Sequence, residues 1–212
     1  MPAPDDSAAP SDGGDGSADE EGPAAKRSKR RGWIIEAVVI FAVAVAVAVV
    51  LRTFVVSTYF IPSGSMEPTL QIGDRILVDK LSYHLHAVHR GDIVVFARPL
   101  AEDCGGTPVN DLVKRVIGLP GETVSLSDGR VDINGKPIAE PWLPKGVYTG
   151  PGPPGSPTNL AKPYKVPQNS YFVMGDNRPE SCDSRYWGPV KRSLIVGRVV
   201  MRIWPISGFK FF

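Results

Sequence analysis

The sequence predicts a mainly β fold, built of coiled antiparallel sheets or a partly open barrel, preceded by one transmembrane helix. Three observations lead there. A single charge-free apolar run lies near the N-terminus, from Ala37 to Leu51. Beyond it, short apolar runs are broken by Gly, Pro and Asp, the punctuation of strands and turns. Helical periodicity is almost absent from residue 57 onward.

Composition bounds the possibilities. The chain has 212 residues, 42% of them apolar, enough for one ordinary domain with extra segments. Its formal net charge of +2 gives no reason to expect a nucleic-acid partner. Residues 1–31 are Pro, Gly, Ser, Ala and charge, with acids first and then a basic cluster at Lys26, Arg27, Lys29, Arg30 and Arg31. They lack the apolar surface that offsets ordering entropy, so they are expected to form a disordered cytoplasmic tail. Residues 32–56 are expected to be the anchor. Glu36 and Arg52 bracket its apolar run, which is shorter than the roughly 20 residues of a full crossing. Both charges therefore belong near the interfaces, where Arg52 can snorkel. The Ala-Val alternation is strand-like, but it has no polar face to alternate with. The basic cluster precedes the run, which keeps the N-terminus in the cytoplasm and sends residues 57–212 outside. A cleaved signal peptide has similar opening features. Here the Ala-x-Ala triplets between Ala42 and Ala48 fall inside the run rather than after it, which favours an uncleaved anchor.

The outer domain reads as strands in order: Arg75 to Asp79 after the Gly73-Asp74 turn, Ile93 to Phe96 after Gly91-Asp92, and Leu112 to Ile117 before Gly118-Leu-Pro-Gly121. Thr123 to Leu126 and Arg130 to Ile133, joined by Asp128-Gly129, form a hairpin signal that Asn134-Gly135 repeats at once. Tyr171 to Met174 and Ile195 to Ile203 complete the set. Pro141 to Pro167 is dense in Pro and Gly and is expected to lie as a surface excursion.

Chemistry is concentrated in a few stretches. In Ile61-Pro-Ser-Gly-Ser-Met-Glu-Pro-Thr-Leu70, the prolines keep Ser63 to Ser65 out of a helix and Gly64 permits a sharp turn. Such a loop can present one hydroxyl, although Pro, Ser and Gly also make ordinary turns. A nucleophilic serine needs a base. The three histidines, His84, His86 and His89, sit together without carboxylate or Cys partners at ligand spacing, which reads as a solvated loop rather than a metal site or triad. Lysine is the other base for serine, provided that burial strips its charge. In Asp111-Leu-Val-Lys-Arg-Val-Ile117, alternation places Lys114 on one face with Leu112 and Val116, and Arg115 on the other. Lys80 shares a face with Ile76 and Val78 in the same way, and pattern alone does not choose between them. Gly175 to Gly188 packs acids, arginines, hydroxyls and Tyr186-Trp187 into one turn-rich stretch able to orient a site.

These stretches, in this order, resemble the type I bacterial signal peptidases, membrane-anchored serine proteases with a Ser/Lys dyad. The matching boxes are Ser63-Gly-Ser-Met-x-Pro-Thr-Leu70, Gly73-Asp74 through Val78-x-Lys80, Arg90-Gly-Asp-Ile-Val-Val-Phe96, Lys114-Arg-Val-Ile-Gly-Leu-Pro-Gly-Glu122, and Gly175-Asp-Asn-Arg178 with Ser181-x-Asp-Ser-Arg-x-Trp-Gly188. The resemblance implies Ser65 as nucleophile and Lys114, not Lys80, as general base. It implies Ser63 as the partner of the Ser65 N–H in the oxyanion hole, Ser181 as the hydroxyl that orients the lysine, and Asp183 and Arg185 as supports. Ile61, Met66, Leu70, Val95, Leu112 and Val113 match the family's substrate pocket. The implied activity is removal of signal peptides from exported preproteins after small-x-small motifs. The implied partners are those preproteins and the lipid bilayer, with no cofactor and no metal. Pro179-Glu180 and residues 141–167 depart from the family pattern. Cys104 and Cys182 lie in the outer domain, where an oxidising compartment permits a disulfide. Two rivals are a membrane-tethered β binding module without catalysis and a self-cleaving repressor-type Ser/Lys peptidase. The second is soluble in its known forms, unlike a chain with an anchor.

Overall fold

The computed structural model describes residues 23–50, 55–105 and 109–212. The expected tail over residues 1–22 and the end of the expected anchor over 51–54 lie outside the described residues. The chain divides into two units, residues 1–47 and 48–212. Helix α1 runs Pro23–Val50, so it begins ahead of the expected start at residue 32 and takes in the basic cluster. Arg and Lys are good helix formers, so they extend the helix that the Ala-rich run propagates. Its side chains are described over residues 33–49, where every residue is exposed. Among the described residues, no helix is long and apolar enough to cross a membrane.

The rest is antiparallel β. One sheet of eight strands contains β1 (Val56–Phe60), β2 (Arg75–Asp79), β3 (Ile93–Ala97), β4 (Asp111–Gly118), β9 (Ser170–Met174), β10 (Val190–Lys191), β11 (Ile195–Trp204) and β12 (Lys210–Phe211). Their order is β1-β2-β11-β3-β4-β9-β10, with β12 added to β11. A second sheet has four strands, β5 (Thr123–Ser127), β6 (Arg130–Ile133), β7 (Lys136–Pro137) and β8 (Tyr164–Lys165), in the order β7-β6-β5-β8. Two four-residue helices complete the domain, α2 (Ser82–Leu85) and α3 (Ser184–Trp187). Among the described residues neither sheet closes on itself, since β1 does not pair with β10 nor β7 with β8; this agrees with the expected antiparallel sheets and excludes a closed barrel.

The hairpin from β5 to β6 follows its turn chemistry. Asp128 and Gly129 both take positive φ, 50° and 73°, and Asn134 and Gly135 do the same between β6 and β7, at 52° and 74°. Two successive left-handed residues match the twist of the flanking strands, and Asp, Asn and Gly adopt that conformation most readily.

The central strands are buried on both faces. Val94 and Phe96 of β3 join one core with Val116, Tyr171, Val173 and Trp187. Ile93 and Val95 face a second core with Ile61, Met66, Leu70, Ile76, Val78 and Val199. A third core sits under the small sheet, where Phe172 and Met174 meet Val124, Val131 and Ile133. Leu160 and Val166 are buried there too, so part of the expected surface excursion is core. Its apolar residues are few, and Pro and Gly conceal them from any periodicity.

Candidate active site

Ser65 lies in a 3₁₀ turn, Gly64–Met66, which begins after extended Ser63. Met66 is buried and pins the turn to the second core. A loop from the far end of the sequence holds it from the other side. The Asn177 N–H donates to the Ser65 carbonyl at 3.1 Å, and Asn177 Nδ2 donates to the Gly64 carbonyl at 3.1 Å. Gly175 lies so close that a Cβ there would stand 2.3 Å from the Ser65 carbonyl oxygen and 2.2 Å from Ser181 Oγ. No side chain fits in that space.

Lys114 comes from β4, paired with Val94 across the ladder. Leu112 and Val116 stand on its face and pack in the first core, as the alternation predicts. Lys114 is 4% exposed, and its Nζ donates to Ser65 Oγ at 2.7 Å. Burial lowers its pKa from 10.5 to about 8, against the opposing pull of Asp183 and Glu102. Desolvation therefore wins over the nearby carboxylates, and about a tenth of the amine is neutral at pH 7, far more than for an ordinary lysine. A neutral amine 2.7 Å from a hydroxyl can accept its proton.

Ser63 Oγ lies 3.5 Å from Ser65 Oγ on the exposed side. Ser181 is fully buried, and its Oγ has no hydrogen-bond partner. It touches the site through Gly175 rather than by bonding Lys114. Asp183 and Arg185 form a buried pair, with Arg185 Nε donating to Asp183 Oδ1 at 2.9 Å and Nη2 to Oδ2 at 2.8 Å. Burial works against the Arg185 charge, and the Asp183 carboxylate outweighs it, so the pKa of Arg185 rises. Arg185 also donates to the carbonyls of Arg178, Ser181 and Gly150, while Asp183 Oδ2 accepts from the Gly175 N–H. The pair thus fixes the loop that leans on Ser65.

The dyad opens into a cleft of about 420 Å³ lined by Ser63, Ser65, Leu112, Lys114 and both cysteines, among others. Leu112 is the one member of the predicted pocket set on that lining. Ile61, Met66, Leu70 and Val95 are at most 3% exposed and lie in the second core, with Val113 packed against it. These five lie off the cleft lining. Beside the cleft, β9 pairs with Arg115, Val116 and Gly118, so among the described residues one edge of β4 at residues 111–114 has no neighbouring strand.

Cys104 and Cys182 are joined as a disulfide, which ties the loop before β4 to the segment between Ser181 and Asp183. Four contributors escaped the sequence reading. Asn177 lay inside a quoted box without a role. Gly175 is recognisable only once its neighbours are known. Arg98 and Glu102 line the cleft outside every box. The histidines carry no metal geometry: His84 and His86 are exposed and turn Nδ1 to backbone carbonyls.

A family model described as signal peptidase, peptidase S26, matches residues 34–204. The signal peptidase I of Leptolyngbya laminosa is 42% identical over 186 residues, 87% of this chain and 87% of that protein. Signal peptidase I V of Bacillus subtilis is 40% identical, covering 80% of this chain and 96% of its own. A crystal structure of a signal peptidase I from Enterococcus faecalis is 30% identical, with a TM-score of 0.40 over 54% of this chain and 97% of that one. With a family match over most of its length and relatives at this identity, the chain belongs to the signal peptidases of the peptidase S26 family.

Proposed function

We propose that this chain is a membrane-anchored serine endopeptidase that removes signal peptides from exported preproteins through Ser65 and Lys114. The observation that carries the reading is the 2.7 Å approach of a buried lysine nitrogen to a serine hydroxyl on a rigid turn. Family membership sets aside the alternative of a tethered binding module without catalysis.

Neutral Lys114 takes the Ser65 proton as Oγ attacks the carbonyl of the scissile peptide bond. The Ser63 hydroxyl and the Ser65 N–H stabilise the developing oxyanion, each such donor contributing roughly 10²–10³ in rate. The lysine ammonium then gives its proton to the leaving amine, and the mature protein departs from an acyl-enzyme. Water, deprotonated by Lys114, attacks the ester and frees the signal peptide. Ser181 orients the lysine when the cleft is filled, and Asp183 with Arg185 keeps the supporting loop in place. The signal peptide adds as a short extended segment to the unpaired edge of β4, held by main-chain hydrogen bonds. Small residues before the cut suit a cleft whose wall includes Leu112, backed by the core of Ile61, Met66, Leu70, Val95 and Val113.

Residues 32–56 anchor the protein in the bilayer, 1–31 remain cytoplasmic, and 57–212 work on the outer side. Support comes from the exposed apolar surface of α1, including Trp33, Ile34, Ile35 and Phe41, and from the basic cluster before it.

The test is cleavage of one preprotein by wild type, Ser65→Ala and Lys114→Ala, with the cut site read by mass. Cleavage after a small-x-small motif by wild type alone supports the reading. Unchanged processing by either variant, folded and in the same detergent, ends it.

A further inference from the structure

The cleft wall facing the dyad carries an ion pair that the mechanism does not use. Arg98 Nε and the Glu102 carboxylate are in direct contact, and Arg98 Nη2 donates to the Glu102 carbonyl at 3.0 Å. Both line the same cleft as Ser65 and Lys114. The Glu102 side chain is 10% exposed, so its charge is only weakly screened by water. Its position is also fixed. The Glu102 carboxylate and the sulfurs of Cys104 and Cys182 lie within 4.8 Å of one another, so the disulfide clamps this loop to the segment bearing Ser181 and Asp183.

From this arrangement we infer that Arg98 and Glu102 are positioning residues that set the proton affinity of Lys114, and with it the lowest pH at which the enzyme cleaves. The inference rests on Lys114 being the general base.

The charges around the Lys114 amine come from two segments. Asp183, Arg185 and Asp176 belong to the C-terminal loop, which also brings Glu180 to the cleft lining, and Glu102 belongs to the clamped loop. Asp183 is already neutralised by Arg185, and Asp176 by Arg115. Glu102 differs because its partner, Arg98, is more exposed, at 29%. The Glu102 carboxylate favours the ammonium, and the Arg98 guanidinium offsets that effect. A peptide lying in the cleft displaces water and strengthens both influences.

The two halves of the pair must act with opposite sign. Glu102→Gln removes a negative charge and leaves Arg98 positive, so the ammonium is disfavoured and the rising limb of kcat/KM moves to lower pH. Arg98→Gln leaves Glu102 unopposed, so the limb moves to higher pH. Each shift should be about half to one pH unit, or about three- to tenfold in rate on the limb, with similar rates on the alkaline plateau. Glu102→Asp keeps the charge and should keep the wild-type limb.

The experiment measures kcat/KM for one preprotein between pH 6 and 10, using the full chain in detergent with the disulfide verified by mass. Opposite shifts support the inference. A uniform loss at every pH with an unmoved midpoint, or two shifts in one direction, overturns it. Should Glu102→Gln fail to fold, Arg98→Gln against Arg98→Lys still decides the sign, since only the first should move the midpoint. Cleavage by Lys114→Ala would instead refute the base assignment and is scored separately.

Discussion

Lys114 and Arg115 are neighbours on β4, both buried and both cationic by nature, yet the two faces of the strand treat them in opposite ways. Arg115 meets Asp176 in a two-pronged pair, Nε to Oδ1 at 2.8 Å and Nη2 to Oδ2 at 2.6 Å. Its Nη1 reaches the Gly91 carbonyl at 2.7 Å, and its guanidinium lies 4.6 Å from the Trp142 ring centre. Every side of that cation is answered. Lys114 has a serine hydroxyl in place of a carboxylate, with aliphatic neighbours around it. One burial therefore preserves a charge and links two loops, while the other erodes a charge and leaves an amine able to accept a proton. What separates structure from chemistry here is whether a matching acid is supplied, since depth is nearly the same, at 4% and 6% exposure.

The contrast can be broken at several points. The largest effect should come from Lys114→Ala or Ser65→Ala, each lowering kcat/KM about 10⁴-fold or more while far-UV circular dichroism stays that of the wild type. Arg115→Ala should act on stability instead. It leaves Asp176 buried and unpaired and should cost about 3–5 kcal/mol in urea unfolding, with activity lost only as the fold is lost. The Lys114 burial has the reverse sign. Its folded pKa of about 8 lies below the 10.5 of an ordinary lysine, so the unfolded chain binds more protons between these values. Wild-type stability should therefore gain from this group as pH rises through that window. Lys114→Met should lack the gain and be about 2–3 kcal/mol more stable than wild type at pH 7. In turnover, the wild-type rate should climb with unit slope and level near pH 8. Ser181→Ala is the smallest change. Its hydroxyl has no partner, so unfolding should shift by less than about 0.5 kcal/mol, and cleavage should fall about tenfold. Unchanged cleavage would remove Ser181 from the mechanism.

Much of this fold was legible in the sequence because its signals were local. Arg75 to Asp79 matches β2 residue for residue, and Asp128-Gly129 turns where its composition says it must. Alternation along β4 correctly put Lys114 among aliphatics and Arg115 opposite. The losses are equally physical. β1 was not read as a strand, since Val56-Ser-Thr-Tyr-Phe60 follows directly on the apolar run and shows no clean alternation. β7, β8, β10 and β12 are two residues long, too short for any period to register. Trp142 and Thr149 sit in the Pro- and Gly-rich stretch, yet one stacks on Arg115 and the other accepts from Arg178 at 2.7 Å. Partners separated by many residues leave no trace in composition. The choice of Lys114 over Lys80 came from family resemblance, and the geometry now gives it a physical basis in one short hydrogen bond.

Gly175 has a practical consequence. Since the turn carrying Ser65 rests against its Cα with no clearance, Gly175→Ala should act as a wedge, moving the hydroxyl off the amine while leaving both groups in the protein. Such a variant would be intact in composition and charge but mistimed in space. It would offer a way to hold an exported chain on the enzyme uncut, and to photograph the complex before the bond breaks.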